Sequence, residues 1–389
     1  MQIASFLQLL LIGLIAAAGP LAYVWARRDA GVAGVAGARA RKLVWVILFL
    51  TFDLILFGAF TRLTDSGLGC PDWPGCYGSS NPLAAHAAIQ AAETAQPTGP
   101  VTVTKAWIEM THRYLAMGVG VLIVALVALA WKLRRQRGTG IPSLRGAVAL
   151  LVLVCVVGAF GRFTVTLKLM PLVVTIHLLL AVILLCALGV MAARLSSAPA
   201  PLPASAAAAM SLLSMRGWIT LSLIVVLVQI ALGGWVSTNY AVLACPDFPL
   251  CHGAVFPAQA DFAGGYELLR PLGVRADGTH LPVEALVAIH WTHRAFALVV
   301  FATAAWAAAQ ILRHPQADAG SMQLARWLLA LLLLQLLTGI STVIFSWPVA
   351  VAVLHNGGAA ALALTLTLLR TRLAPSRAQV HAPSAMVMS

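Results

Sequence analysis

The sequence has 389 residues, of which 61% are hydrophobic and 10% are charged, and its mean hydropathy is +0.92. These values exclude an ordinary soluble domain and predict a polytopic helical membrane protein. A formal net charge of +13 would suggest a nucleic-acid partner in a soluble protein. Here the basic residues lie in short loops beside apolar runs, so membrane topology explains the charge, and the expected partner is membrane lipid and not nucleic acid.

Nine apolar runs are long enough to cross a bilayer, and the predicted fold is therefore all-α. Each run has about 20 residues, the length that a hydrocarbon core of about 30 Å requires. The first run lacks the basic start of a signal peptide and is expected to remain as a transmembrane helix. The runs cover residues 4–25, 43–62, 107–131, 146–163, 171–193, 217–238, 285–312, 325–345 and 348–370.

Basic residues in the connections predict the orientation of these runs. If the N-terminus is outside, 17 of the 25 lysines and arginines lie on the inner side and nine of the twelve acidic residues lie on the outer side. The sequence thus predicts a multi-pass protein of the bacterial inner membrane with a cytoplasmic C-terminus. Two outer segments are long, about 63–106 and 239–284, and the stretch 80–104 within the first is expected to be a mobile excursion.

The two halves of the chain repeat. Four spans per half is an even number, so both halves share one orientation and are expected to be related by a pseudo-twofold axis along the membrane normal. Cys70 returns as Cys245 and Gly58 as Gly233 at an offset of 175, His112 returns as His293 at an offset of 181, and His177 returns as His355 at an offset of 178.

The repeat also predicts the domain limits. An extra N-terminal helix and its connection (1–42) come first, followed by a four-helix repeat (43–194). A cytoplasmic linker (195–216) leads to the second four-helix repeat (217–371) and a cytoplasmic tail (372–389).

Four histidines lie within apolar runs, where ionisable side chains are costly and suggest function. His112 and His293 belong to the repeated triplet Thr-His-Arg, and His177 and His355 lie in later runs at a similar depth. Two imidazoles on facing helices can ligate one iron from opposite sides, so each half is predicted to bind one haem. The alternative is four satisfied polar core residues, and their level, repeated placement argues against it.

Glu109 lies one helical turn before His112 and on the same helix face. Its carboxyl group is a candidate for proton transfer, and the alternative role is charge complementarity at a helix N-terminus. The equivalent position in the second half is His290, an additional candidate iron ligand. Asp53 lies in the middle of a span and is interpreted as either a proton-pathway residue or a hydrogen-bonded core group.

Arg113 and Arg294 directly follow the first histidine of each half. A guanidinium at this depth is a candidate partner for a porphyrin propionate, bound as a bidentate pair. The alternative is an anchor whose long side chain reaches the membrane interface. Both interpretations remain open at this point.

The four loop cysteines form two Cys-x5-Cys pairs on the outer, oxidising side. Each loop is short enough for an internal disulfide, which predicts the pairs Cys70–Cys76 and Cys245–Cys251. A zinc site would require closer spacing and further ligands, for which His252 is the candidate. The spacing does not distinguish structural disulfides from disulfides that exchange with thiols.

The segment 62–76, Arg-Leu-Thr-Asp-Ser-Gly-Leu-Gly-Cys-Pro-Asp-Trp-Pro-Gly-Cys, resembles the first outer loop of the haem A synthase family. The resemblance covers about residues 43–370, so the first helix lies outside it. Further residues that match the family are Glu109, His112, Arg113, His177, His293, Arg294 and His355.

This family oxidises the methyl group at C8 of haem O to the formyl group of haem A for terminal oxidases. The resemblance implies that His293 and His355 hold a permanent haem b as cofactor. It implies that His112 and His177 hold the haem O substrate, with Glu109 as the catalytic residue close to the reaction. It further implies haem O synthase as donor and the terminal oxidase assembly machinery as partner, and it leaves a homo-oligomer open.

Two other functions fit a pair of bis-histidine haem sites. One is a di-haem b electron-transfer protein that oxidises quinol, and the other is a haem-binding carrier or assembly factor without catalysis. Glu109 distinguishes them from an enzyme, because a carboxylate beside only one of the two sites has no purpose in electron transfer alone.

The predicted orientation can be tested with reporter fusions after residues 100 and 265, in the two long outer segments. Both fusions should report the periplasmic side, because the basic residues are concentrated in the opposite loops. A cytoplasmic signal from either fusion would contradict the orientation.

Overall fold

The computed structural model describes residues 2–26, 34–136, 140–196, 206–315 and 317–373, and in these ranges the chain is helical with no extended strand. Nine of the described helices are long and apolar enough to cross a membrane, which confirms the all-α, multi-pass prediction. The helices are α1 (Gln2–Ala26), α2 (Gly34–Leu63), α3 (His86–Ala95), α4 (Val103–Leu133), α5 (Leu144–Thr166), α6 (Pro171–Ser196), α7 (Ala206–Thr238), α8 (Phe262–Gly265), α9 (Val283–Arg313), α10 (Ala319–Ile344) and α11 (Val349–Arg372).

Several helices extend beyond the predicted spans, because the apolar pattern marks only the part that crosses the bilayer. Helix α7 begins at Ala206 in a run of alanines, the best helix former, so part of the predicted linker 195–216 is helical. Residues 197–205 of that linker lie outside the described part of the chain, as does the predicted tail after residue 373.

The first long outer segment contains helix α3 where the sequence predicted a mobile excursion. Ile89 of α3 is buried, and a carboxylate oxygen of Glu93 accepts a hydrogen bond from the backbone N–H of Val103 (3.1 Å). The hydroxyl of Tyr114 on α4 donates to the carbonyl oxygen of Ser80 (2.8 Å). The segment is therefore folded onto the start of α4, and its glycines and prolines flank a short alanine-rich helix.

The long helices form two four-helix units. In the first, α2 contacts α4 and α6, and α5 contacts the same two helices. In the second, α7 contacts α9 and α11, and α10 contacts the same two helices. Each unit therefore contains one pair of histidine-bearing helices, α4 and α6 or α9 and α11. The two units contact each other through α2, α6, α7 and α11.

Equivalent residues of the two halves contact one another at the outer ends of α2 and α7. A guanidinium N–H of Arg62 donates to the carbonyl oxygen of Ser237 (2.5 Å), and the hydroxyl of Tyr240 donates to the Asp65 carboxylate (2.6 Å). In both pairs the partners are 175 residues apart, which is the repeat offset. Equivalent positions can touch only near a common axis, so these contacts support the pseudo-twofold arrangement, which stays a prediction together with the domain limits.

Helix α1 packs against α4 and so covers the first four-helix unit. Small residues allow the close approach: Gly13 lies against Met117, and Gly118 lies against Ala16. Leu9 joins a buried apolar cluster near the first cysteine loop. The extra helix therefore supports the wall and the loop of the N-terminal half.

Replacing Gly13 by leucine should detach α1 from α4. A Cβ atom at this position would lie 2.8 Å from Cβ of Met117, and overpacking of this kind costs about 1–3 kcal/mol. We expect a lower thermal midpoint for the detergent-solubilised protein. Gly19→Leu on the same helix is the matched control, because no atom lies within 4 Å of a Cβ there. Equal midpoints for the two variants would contradict this packing.

Candidate functional site

Each of the four membrane histidines lies against a glycine of a neighbouring helix. A Cβ atom at Gly58 would lie 3.0 Å from Cε1 of His112, which is closer than ordinary van der Waals contact. The absence of a side chain on these glycines therefore lets the imidazoles approach the helix backbone. The same close approach pairs Gly161 with His177 (3.3 Å), Gly233 with His293 (2.9 Å) and Gly339 with His355 (3.2 Å).

Gly161 and Gly339 were not among the residues predicted from the sequence. Their offset is 178, the same as that of His177 and His355, so the repeat contained the signal.

The histidines form one pair in each four-helix unit. His112 lies within electrostatic range of His177, and His293 lies within range of His355. All four are surrounded by protein, yet each keeps part of its surface accessible. Part of each histidine is therefore open to contact with a ligand.

Hydrogen bonds at Nδ1 determine the tautomer of the second histidine in each pair. Nδ1 of His177 lies 3.0 Å from the carbonyl oxygen of Val157, which can only accept. Nδ1 of His355 lies 2.9 Å from the hydroxyl of Thr338, whose proton is donated to the carbonyl oxygen of Leu334 (2.7 Å). Both imidazoles therefore carry their proton on Nδ1, which leaves the lone pair of Nε2 for a metal.

The first histidines of the two pairs differ from one another. The side-chain amide of Gln229 lies 3.2 Å from Nδ1 of His293. Nδ1 of His112 is buried and has no hydrogen-bond partner among the described residues. The ring of His112 is instead stacked on Phe57, at a centroid distance of 6.3 Å.

Glu109 is buried at the junction of α4 and the first cysteine loop. One carboxylate oxygen accepts the backbone N–H of Cys70 (2.8 Å), and the other accepts a guanidinium N–H of Arg113 (2.5 Å). Arg113 also donates to three loop carbonyl oxygens, those of Asp72, Pro74 and Gly75. The ion pair therefore fastens the cysteine loop to the helix that carries His112.

His290 occupies the equivalent position in the second half. Its Nδ1 lies 3.2 Å from the backbone N–H of Cys245, and its Nε2 lies 3.1 Å from Nε of Arg294. A neutral imidazole accepts through one nitrogen only, so it satisfies one of these donors, whereas a carboxylate satisfies both. Because both nitrogens face the loop and Arg294, the structure gives His290 the role of Glu109 in loop attachment and not the arrangement of a third iron ligand.

Arg294 binds loop carbonyl oxygens, as Arg113 does. Its guanidinium donates to the carbonyl oxygens of Cys245, Asp247 and Leu250. Loop attachment is a role that the sequence did not suggest for either arginine. Propionate binding by Arg113 and Arg294 stays a prediction.

The two cysteine loops have the same local structure. The structure pairs Cys70 with Cys76 and Cys245 with Cys251, at Cα–Cα distances of 4.9 and 4.8 Å. In each loop an aspartate accepts two backbone N–H groups five and six residues further on, Asp72 in the first and Asp247 in the second. The N–H groups of Gly253 and His252 lower the pKa of Asp247.

His252, the candidate zinc ligand, lies with Nε2 2.8 Å from the carbonyl oxygen of Ala244. In the described part of the chain no three His, Cys, Asp or Glu side chains are grouped as a metal site would require. Asp53 is partly buried on α2, and its two predicted roles stay predictions.

The chain is similar to a family of known proteins. The chain matches the family model COX15-CtaA, cytochrome oxidase assembly protein, over residues 41–367. It is 37% identical over 334 residues to a protein named Heme A synthase from Shewanella oneidensis, covering 84% of this chain and 94% of the relative. Proteins of the same name from Chelativorans sp. (31% over 336 residues, 82% and 88%) and Bradyrhizobium sp. strain ORS 278 (30% over 367 residues, 88% and 94%) are also similar.

Peptide mapping under non-reducing conditions should identify the two intra-loop disulfides. The short spacing and the shared loop structure bring each pair together within one loop. Cys155 and Cys186, which are free in the structure, provide the internal control and should be alkylated without reduction. A peptide that links the two loops, or alkylation of all four loop cysteines, would contradict the pairing.

Proposed function

The chain belongs to the COX15-CtaA family of cytochrome oxidase assembly proteins, and on that premise we propose that it is a haem A synthase. In this function the enzyme oxidises the C8 methyl group of haem O to the formyl group of haem A. The observation that carries the proposal is the presence of two bis-histidine sites of which only one has a buried carboxylate on the helix of its first ligand.

The residues of both sites fit a haem. Glycines at the four helix contacts make room for the imidazoles, and His177 and His355 have the tautomer that iron ligation through Nε2 requires. The remaining two histidines keep their Nε2 free of hydrogen bonds to the described residues. A free Nε2 on all four imidazoles is what iron ligation requires, and the Nδ1 hydrogen bonds of His177 and His355 are of the kind that orient a metal ligand.

The two sites have different roles in this proposal. His293 and His355 hold a resident haem b, and His112 and His177 hold the haem O substrate. When bound, a bis-imidazole haem b supplies one-electron transfer. Glu109 supports the assignment of the substrate to the N-terminal site, because the equivalent residue of the C-terminal half is His290. A resident electron-transfer haem needs no carboxylate beside it.

The role of Glu109 in this proposal is to accept protons that the oxidation releases. Written with water as the oxygen source, conversion of a methyl to a formyl group releases four protons and four electrons. The four electrons require an oxidant outside the protein, and the protons require an acceptor near the methyl group. The carboxylate oxygens of Glu109 each accept one hydrogen bond and retain a further lone pair, so the group can take a proton without first leaving Cys70 or Arg113.

The membrane setting completes the proposal. The cysteine loops face the periplasm, where disulfides persist, and both haem sites lie in the outer half of the bilayer. Haem O synthase is the donor of the substrate, and the terminal oxidase assembly machinery receives the product. Arg113 and Arg294, which lie at the outer edge of the sites, remain the candidates for propionate contacts.

Substitution of Glu109 tests the catalytic role. In cells that also express haem O synthase, Glu109→Ala should leave haem b bound, abolish haem A and accumulate haem O, as measured by pigment extraction and chromatography. Glu109→His is the sharper variant, because His290 shows that an imidazole can attach the loop at this position. It should preserve the loop and still abolish haem A. Haem A at a normal rate from either variant would contradict the role.

The reciprocal variants test the assignment of the halves. His293→Ala or His355→Ala should deplete the resident haem b from the purified protein, whereas His112→Ala should not. His290→Glu is the control and should keep the resident haem, because a carboxylate satisfies the same loop donors. Loss of the resident haem from His112→Ala, with retention in both C-terminal variants, would reverse the assignment.

A further inference from the structure

The two halves differ in the groups that surround their histidine rings. Gln229 on α7 is replaced by Leu54 at the equivalent position of α2, at the offset of 175. Thr338 on α10 is replaced by Phe160 on α5, at the offset of 178. At these two positions the C-terminal half thus has polar side chains and the N-terminal half has apolar ones. Nδ1 of His177 still has an acceptor in the carbonyl oxygen of Val157, so the hydrogen bonding of the two halves differs at the first ligand.

The consequence is clearest at the first ligand of each pair. His112 is next to apolar side chains, and its buried Nδ1 has no partner among the described residues. In an apolar setting an unpaired N–H costs about 1–3 kcal/mol, and nothing but packing orients the ring. The first ligand of the N-terminal half is therefore poorly held for permanent iron binding.

Gln229 holds the first ligand of the other half. Its Nε2 lies 3.2 Å from Nδ1 of His293 and donates to the carbonyl oxygen of the same residue (3.0 Å). Its Oε1 is buried without a partner among the described residues. Ligation through Nε2 of His293 requires a proton on Nδ1, which an amide nitrogen cannot accept. Rotation of the amide about its last bond exchanges Nε2 for the unpaired oxygen, so the Nδ1 proton gains an acceptor and the donation to the His293 carbonyl oxygen is given up.

We propose that Gln229 is the positioning residue that makes the C-terminal haem a resident cofactor, while Thr338 holds the second ligand there, and that Leu54 leaves the N-terminal site free to exchange. The proposal rests on the assignment of haem b to His293 and His355. An acceptor at Nδ1 fixes the ring orientation and raises the basicity of the ligating nitrogen. A site that must release its product after each reaction cycle gains from the lack of such an acceptor.

The experiment uses the full-length, haem-loaded protein in detergent and measures haem release to excess apomyoglobin, together with the midpoint potential of the resident haem. Gln229→Leu copies the N-terminal half and should accelerate release about 10–100-fold, the usual effect of removing a hydrogen bond to a metal ligand. The potential should rise, because a less basic ligand stabilises the oxidised iron less. Thr338→Val should act in the same direction.

Two further variants separate a positioning role from a structural one. Gln335→Leu is the matched control, because the amide of Gln335 donates to the carbonyl oxygen of His355 and not to its ring (2.9 Å). It should change neither the release rate nor the potential. Gln229→Glu keeps an acceptor beside Nδ1 of His293, so haem release from this variant should stay slow.

The outcomes distinguish this proposal from the proposed function. If His293→Ala loses the haem while Gln229→Leu and Thr338→Val release it at the original rate and potential, the inference is wrong and the assignment of the halves stands. If His293→Ala keeps its haem, the assignment itself fails. Leu54→Gln provides a test that does not depend on the C-terminal variants, since it should slow the release of haem from the N-terminal site.

Discussion

Ionisable side chains inside a bilayer are costly, and the four imidazoles lie within the membrane-spanning helices of this chain. Each imidazole is accommodated by a glycine on the neighbouring helix, which allows close contact of helix and ring. This requirement determines which helices are neighbours. The contacts join α2 to α4, α5 to α6, α7 to α9 and α10 to α11. Two such helix pairs pack together in each four-helix unit.

The outer loops depend on the same helices. A side chain one turn before the first histidine accepts the N–H of a loop cysteine, and the arginine after the histidine binds loop carbonyl oxygens. Each disulfide is thus tied to the helix that presents an imidazole. A change of loop position would move that helix end, so the loops contribute to the geometry of the sites although they lie outside the membrane.

The two sites differ at a few equivalent positions of the repeat. The loop attachment uses Glu109 in one half and His290 in the other, and the ring nitrogen of the first ligand faces Gln229 in only one half. One site therefore combines a carboxylate with a first histidine whose Nδ1 has no partner among the described residues, and the other lacks the carboxylate and has an amide at that nitrogen. This difference fits the proposal of catalysis at the first site and electron relay at the second.

Much of this organisation could be predicted from the sequence. The apolar runs gave all nine spans because span length depends on bilayer thickness, and the repeat offsets related the histidines and cysteines of the two halves. The partner of Glu109 could not be predicted, since the bond to Cys70 joins residues 39 positions apart through the loop conformation. Helix α3 was not predicted, because the glycines and prolines on either side of it are typical of a loop. The role of Gln229 could not be predicted either, because the sequence does not show which histidine ring its side chain faces.

The central claim is that the halves are not equivalent. A cryo-EM structure of the protein purified from cells that lack haem O synthase tests it most directly, because haem b is then present and haem O is absent. If the halves differ as proposed, haem density is expected between His293 and His355 and none between His112 and His177. Density between His112 and His177, with the C-terminal site empty, would contradict it.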